Sequence, residues 1–332
     1  MQVLDPVAPT PDGAMAESGP SGMVWIAGGT FLMGSDDHYP EEAPAHPVAV
    51  DGFFIDRTPV TNAAFAGFVA ATGYVTVAER APRAEDFPDA DPRLLVPGSL
   101  VFVAPDGDGD PDDWSRWWRF VPGACWRRPQ GPDSTTDDVM GHPVVHICHE
   151  DAAAYAAWAG RELPSEAEWE FAARGGLAGA AFAWGDDLVP GGIHRANTWQ
   201  GRFPRENLAE DGYAGTSPVT AFPPNGYGLF DMIGNVWEWT DDWYRPRHTA
   251  PAAKACCLPR NPRGGSAADS VDAFTPGPPS PRKVLKGGSH LCAPSYCRRY
   301  RPAARQPQTL DTASVHIGFR CVRRVATQRG PE

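Results

Sequence analysis

The chain has 332 residues, 42% of them hydrophobic and 12 of them Trp, which is enough apolar surface for one large domain or two ordinary ones. A net charge of −12 excludes the concentrated basic surface that nucleic acid or anionic lipid requires. No stretch is long and apolar enough to span a bilayer, and Met1 to Gly22 has neither a basic nor an apolar signal region. With seven cysteines that cannot all pair internally, a cytoplasmic location is expected, with no membrane and no nucleic acid among the partners.

The load of 35 Gly and 36 Pro favours many turns over long helices. Residues 1–22 lack periodicity and read as a disordered tail, and 326–332 as a C-terminal one, which leaves 23–325 as the folded domain. Val24 to Ile26 and Phe31 to Met33 flank Gly28-Gly29 as a predicted hairpin, and Val48 to Ile55 supplies a further strand. Thr61 or Asn62 can cap a helix that buries Phe65, Phe68 and Val69 and ends at Gly73. From Glu79 to Asp138 periodicity is weak, so ordered loop pinned by Trp114, Trp117 and Trp118 is expected. His142 to Cys148 reads as a buried strand and Asp151 to Gly160 as a short helix. Ser165 with Glu168 forms a capping box for the next helix, which stops at Gly175-Gly176. Tyr244 to Arg282, with Cys256 and Cys257, reads as a surface excursion, and Ile317 to Val322 as the last strand.

Cys292 and Cys297 bracket Ala293-Pro294-Ser295-Tyr296 after Gly287-Gly288-Ser289, a run bent enough to bring two sulfurs together. Two thiolates suit a soft ion such as Cu(I), and Arg298, Arg299 and Arg301 favour the thiolate form. The same spacing also suits structural thiols. Ser289 and Tyr296 can orient a substrate, or simply close a turn and pack a ring. His142, His146, His149 and Glu150 are a rival metal cluster, but a strand sends His149 to the opposite face from His142 and His146, so structural roles are favoured. Two oxygen-rich loops are candidates for calcium: Asn197, Thr198, Asp211 and Tyr213, then Asp231, Gly234, Val236 and Glu238. Phosphate-binding, dinucleotide and hydrolase-elbow motifs are absent from the sequence.

Leu163-Pro164-Ser165-Glu166-Ala167-Glu168-Trp169-Glu170, Gly234-Asn235-Val236-Trp237-Glu238-Trp239, Gly287-Gly288-Ser289 and Gly318-Phe319-Arg320-Cys321 together resemble the formylglycine-generating, sulfatase-modifying family. Cys292-Ala293-Pro294-Ser295-Tyr296-Cys297-Arg298-Arg299-Tyr300-Arg301 resembles the active-site stretch of its catalytic members. The resemblance implies one largely irregular α+β domain related to C-type lectins, low in regular secondary structure. It also implies two structural Ca2+ ions on the loops above and a Cu(I) held by Cys292 and Cys297. Ser289, Tyr296 and Trp237 are implied to line or support the site, and His316 falls where the family places a polar residue. Disulfide partners of secreted relatives correspond here to Ala156 and Ala173, leaving Cys321 unpaired, as in a prokaryote-like member.

The implied reaction converts the cysteine of a Cys-x-Pro-x-Arg motif in an unfolded sulfatase polypeptide to Cα-formylglycine, using O2 and a thiol reductant, through a thioaldehyde that hydrolyses. Glu79, Glu85 and Asp86 are candidates for holding the motif's arginine. Two other readings stay open: a metal-free enzyme cycling Cys292 and Cys297 between dithiol and disulfide, and a non-catalytic lectin-like binding module.

Overall fold

The computed structural model describes residues 19–86, 91, 93, 95–105, 113–249, 258–272 and 280–325. Residues 1–18, 326–332, Cys256 and Cys257 lie outside the described residues, as do the side chains of Asp86 and Trp114. Order begins before the expected boundary at residue 22, since Met23 N–H donates to the Pro20 carbonyl and Arg57 N–H to that of Gly22.

The first strands, β1 (Met23–Ile26) and β2 (Gly29–Met33), are answered by β3 (His46–Val50) and β4 (Phe53–Asp56). The predicted hairpin about Gly28-Gly29 does not form: β1 pairs with β4 and β2 with β3. Their register runs unbroken from Met23↔Asp56 through Ile26↔Phe53 and Gly29↔Val50 to Met33↔His46, so the four strands make one long antiparallel ribbon. Gly28 is its bend. With φ 74° and a would-be Cβ 2.6 Å from the Val50 carbonyl oxygen, it kinks the ribbon where the opposite strand is broken at Asp51-Gly52. The chain reverses only across Gly34–Ala45.

Helix α1 (Asn62–Thr72) begins and ends as its sequence dictates: Thr61 Oγ1 accepts the Ala64 N–H at 3.2 Å, and Gly73 closes it at φ 69°. The expected loop over 79–138 instead contains an antiparallel pair, β5 (Gly98–Phe102) and β6 (Trp118–Pro122), whose long connection carries no tight-turn signal. His142 to Cys148 is buried but is not a strand, because His146 takes φ 60° and no ladder passes through a left-handed residue. Helix α2 (His149–Trp158) follows, and α3 (Glu166–Arg174) starts at the predicted capping box, with reciprocal bonds of 3.2 and 2.7 Å between Ser165 and Glu168.

The remaining strands are β7 (Trp237–Trp243), β8 (Arg282–Lys286), β9 (Arg305–Thr309), β10 (Ile317–Gly318) and β11 (Val322–Arg324). One sheet has the order β10-β7-β8-β9, with β10 parallel to β7, and β11 completes a second, β1-β4-β11. The final predicted strand is thus divided between two sheets at Phe319-Arg320-Cys321. A single main core reaches from Ile26 to Val322 and includes Trp169, Trp237, Trp239 and Cys292. Ala156, Ala173 and Cys321 are buried in it, and Cys321 is a free thiol. The architecture is α+β with few helices and small sheets, as expected. Among the described residues no helix is long and apolar enough to cross a membrane.

Buried charge supports this irregular frame. Lys286 on β8 reaches Glu170 of α3 at 3.0 Å, Arg174 reaches the same carboxylate at 2.7 Å, and the Gly34 N–H donates to it at 2.8 Å. Burial alone pushes the Glu170 carboxyl up, but Lys286 and Arg174 outweigh that and hold it at about 2, against 4.5 in an unfolded chain. A depressed folded-state value contributes stability in full above 4.5, and that contribution is lost as pH falls through about 2. Glu170→Gln should therefore cost about 3–5 kcal/mol at neutral pH, because it takes the nearest negative charge from buried Lys286 and Arg174. The gap between variant and parent in denaturant titrations should narrow as pH drops from 4.5 towards 2. A gap unchanged with pH would contradict the assignment.

Candidate active site

The turn after β8 is shaped by contact. A Cβ on Gly287 would lie 3.1 Å from the Trp169 ring, and one on Gly288 would lie 2.8 Å from the Tyr300 nitrogen, so only glycine lets this segment lie against α3 and the 299–300 backbone. Two turns follow. Cys292 N–H donates to the Ser289 carbonyl at 2.9 Å, and Cys297 N–H to that of Ala293 at 3.1 Å. They bring Cys292 Sγ and Cys297 Sγ within 3.1 Å of one another, while the Ser289 N–H points at Cys292 Sγ from 3.4 Å.

Both thiols belong to the wall of a cavity of about 510 Å³ that Ser289, Tyr296, Trp237 and His316 also line. All six residues expected at the copper site or supporting it are thus brought together. The Tyr296 ring stacks on Phe203 at 4.5 Å. Trp237 is buried, and its N–H donates to the His316 carbonyl at 2.8 Å, which fixes β10 beside β7. Cys292 is fully buried, and burial pushes its thiol well up. Cys297 is partly open. The neighbouring Cys292 thiol, by hydrogen bonding to it, draws its pKa down to about 7, and the Arg299 guanidinium adds to this against the effect of burial.

Of the three arginines expected to favour thiolate, only Arg299 faces the sulfurs. It lies over the Tyr39 ring at 3.9 Å and pairs with Glu41 at 2.6 Å. Arg301 turns away into a buried pair with Glu42, and Arg298 contributes its backbone N–H to Tyr39 Oη. Sequence reasoning missed Trp118, Phe203, Gln306 and Pro307 as cavity walls. They come from distant segments with no shared pattern, and only the turn residues around the cysteines gave a local signal.

The histidine cluster disperses. His142 bonds Thr216, and His146 is enclosed between Ser99 Oγ and the Pro129 carbonyl. His149 faces Asp241, and Glu150 pairs at the surface with Arg80. Among the described residues, no three His, Cys, Asp or Glu side chains converge as a metal ligand set. The expected arginine-binding carboxylates are not in the thiol cavity: Glu79 caps Thr76, and Glu85 pairs with Arg83.

The first calcium loop is compact. Asp211 accepts the N–H groups of Thr198 and Tyr213, each at 3.0 Å, and Asn197 is buried with its side-chain oxygen lacking any partner. In the second, Asp231 keeps one carboxylate oxygen unpartnered, and burial pushes its pKa up to about 7. These two orphaned oxygens suit a cation. In Glu238 of the second loop both oxygens are bound by Arg320 and one also by Trp169 Nε1 at 2.7 Å. Its neighbours Gly234 and Val236 have only backbone oxygens to offer.

A lectin-related α+β frame enclosing a two-thiol cavity is the class of protein that fold and site define. The Sulfatase-modifying factor enzyme 1-like domain model matches residues 10–325, and the chain belongs to that family. It is 56% identical over 301 residues to a formylglycine-generating enzyme of Mycobacterium tuberculosis, covering 90% of this chain and 97% of the relative. It is also 41% identical to a mouse protein named inactive C-alpha-formylglycine-generating enzyme 2, covering 90% and 84% respectively. Among solved structures it is similar to PvdO from Pseudomonas aeruginosa, with a TM-score of 0.60, 26% identity and coverage of 91% and 94%. Family membership therefore spans proteins named active and inactive, and the choice between them rests on the site.

The geometry sets an order of thiol reactivity. In metal-free protein, iodoacetamide should label Cys297 first among the five described cysteines, with a rate rising through pH 7, and Cys292 only afterwards, while Cys125, Cys148 and Cys321, all buried, should resist. Peptide mapping across a time course reads the order, and prior labelling of Cys292 would contradict it.

Proposed function

We propose that this protein oxidises the cysteine of a Cys-x-Pro-x-Arg motif in an unfolded sulfatase polypeptide to Cα-formylglycine, with Cu(I) held by Cys292 and Cys297. The observation that carries the reading is the convergence of two sulfurs at 3.1 Å on the wall of an aromatic cavity large enough for a peptide side chain and its backbone. Two soft donors, one already inclined to the thiolate form, suit a soft ion such as Cu(I). Bound there, copper would supply the oxygen chemistry that no side chain can perform. Electron balance sets the co-substrates: O2 accepts four electrons, two from the cysteine as its carbon becomes an aldehyde and sulfide leaves, and two from a thiol reductant. A reducing cytoplasm, which supplies such thiols, is the compartment this reading requires.

The protein's share is to bind and orient. Trp118 on β6 and Gln306 and Pro307 on β9 line the thiol cavity. Further along the same two elements, Phe120 and Thr309, together with Leu100 on β5, line a neighbouring groove of about 940 Å³. Leu100 pairs with Phe120 as Phe102 does with Trp118, so one face of the β5-β6 pair runs from the thiols into the groove. An extended chain could lie along that face, whereas a folded domain could not deliver its backbone there without local unfolding. Glu150 in the groove is already paired with Arg80, so Asp311 is the carboxylate offered to the motif's arginine. The orphaned oxygens of Asn197 and Asp231 are the basis for proposing two structural Ca2+ ions. The close sulfur contact also suits a dithiol-disulfide cycle without metal, which copper dependence separates from the first reading.

Mass spectrometry of a Cys-x-Pro-x-Arg peptide, incubated in air with copper-loaded protein and a thiol, should detect aldehyde. Cys292→Ser or Cys297→Ser should lower turnover by more than the roughly 100-fold that loss of a supporting residue typically costs. Normal turnover by either variant would sink the assignment. Asp311→Asn should raise KM about 3–10-fold with kcat nearly unchanged, because the arginine lies away from the reacting carbon.

Calcium has a separate test. A chelator should lower the melting temperature, with Asp211→Ala mimicking it and calcium detectable by elemental analysis. A melting temperature indifferent to chelator, with no calcium found, would remove both calcium sites from the proposal.

A further inference from the structure

The geometry points to His316 Nε2–H as the donor that holds the backbone carbonyl of the reacting residue in a bound peptide. This inference rests on the reading of the thiol cavity as a peptide site. Ser289 Oγ receives the Leu291 N–H at 3.2 Å and lies 3.2 Å from His316 Nδ1. A hydroxyl has one proton to give. Nδ1 is the one acceptor within reach of that proton among the described residues, so we assign the proton to the Ser289–Nδ1 bond, which places the ring proton on Nε2. Trp118 packs against the ring at 4.8 Å, and the His316 carbonyl is tied to the Trp237 N–H, so neither ring nor backbone is free to turn. Nε2 has no partner among the described residues, and it is not one of the buried polar atoms that lack one, so it opens to the cavity. Burial keeps the imidazole neutral by lowering its pKa to about 3, and the neighbouring His290 and His146 act in the same direction.

The substrate sulfur has to reach Cys292 and Cys297, which places its own backbone within one side chain's length of them, in the space this ring lines. The surroundings are Trp117, Trp118, Phe203 and Trp237. A peptide carbonyl desolvated among indoles needs a donor. Arg299 is taken by Glu41, whereas Nε2–H is held in place by Ser289 and Trp118 and faces the space beside the thiols. Every polypeptide offers such a carbonyl, so this contact recognises extended backbone whatever the flanking sequence.

The probe is an unreactive peptide, Ser-x-Pro-x-Arg, together with its analogue in which an ester replaces the amide that follows the Ser. The ester carbonyl is the weaker acceptor. Copper-loaded wild-type protein should bind the ester about 5-fold more weakly by calorimetry, the size of one neutral hydrogen bond. His316→Ala should bind the amide peptide about 5–10-fold more weakly and no longer distinguish the two. His316→Asn, which restores an N–H, should recover most of the affinity, and His316→Ala should leave the melting temperature close to that of wild type. Equal binding of amide and ester by wild type would overturn the inference without needing any variant to fold. An undiminished ester penalty in His316→Ala would also overturn it. Wild type that binds neither peptide would sink the peptide-site reading itself, and this inference with it.

Discussion

Arg320 lies completely buried at the corner where the chain leaves β10 for β11. Its Nε and Nη2 grip Glu238 on β7, Nη1 reaches the carbonyl of Asp56, and Nη2 also reaches those of Phe230 and Asp231. A guanidinium without partners in this position would be prohibitive, so β4, β7 and the 230–231 turn have to assemble around it together. Trp169 adds its indole N–H to the same carboxylate and thereby fixes α3. In a chain whose strands are short, satisfying this one charge does what long hydrogen-bond ladders do elsewhere, and the two sheets take their relative positions from it.

From that knot the frame extends to the thiols through a second set of cations. Arg299, Arg301 and Arg305 follow Cys297 closely in sequence and contact Glu41, Glu42 and Glu166. Glu41 and Glu42 sit where the long ribbon reverses. The reversal therefore closes over the segment just after Cys297, and Gly34 meets Glu170 and Arg174 on its other side. The dithiol turn is held from both flanks although it contains little regular structure of its own.

Local chemistry was legible in the sequence where one residue decides the outcome. Thr61 and Gly73 set the ends of α1, Ser165 and Glu168 set the start of α3, and the glycine-bracketed cysteines marked the site. What escaped was decided by partners far away. The Gly28-Gly29 pair carries a turn signal, yet the opposite strand continues in register past it and converts the turn into a bend. Nothing around Glu238 in the sequence announces Arg320, more than eighty residues later, which bonds both its oxygens. The aromatic walls at Trp118 and Phe203 have no periodicity to announce them, because each belongs to a different segment and they meet only in the folded chain.

Pro307 stands in the middle of β9, the outer strand of its sheet, and faces the thiol cavity. An outer strand with all its N–H groups free is a template on which any extended chain can add itself as another strand. Proline removes a donor from that template at the point nearest the chemistry. In the proposed function the client arrives as unfolded polypeptide, and such a client would be captured at an open edge through pairing that is tight, sequence-blind and slow to reverse. On that reading, interrupting the edge here would keep the client's hold dependent on side-chain pockets and single bonds, so that a modified chain could depart and complete its own folding.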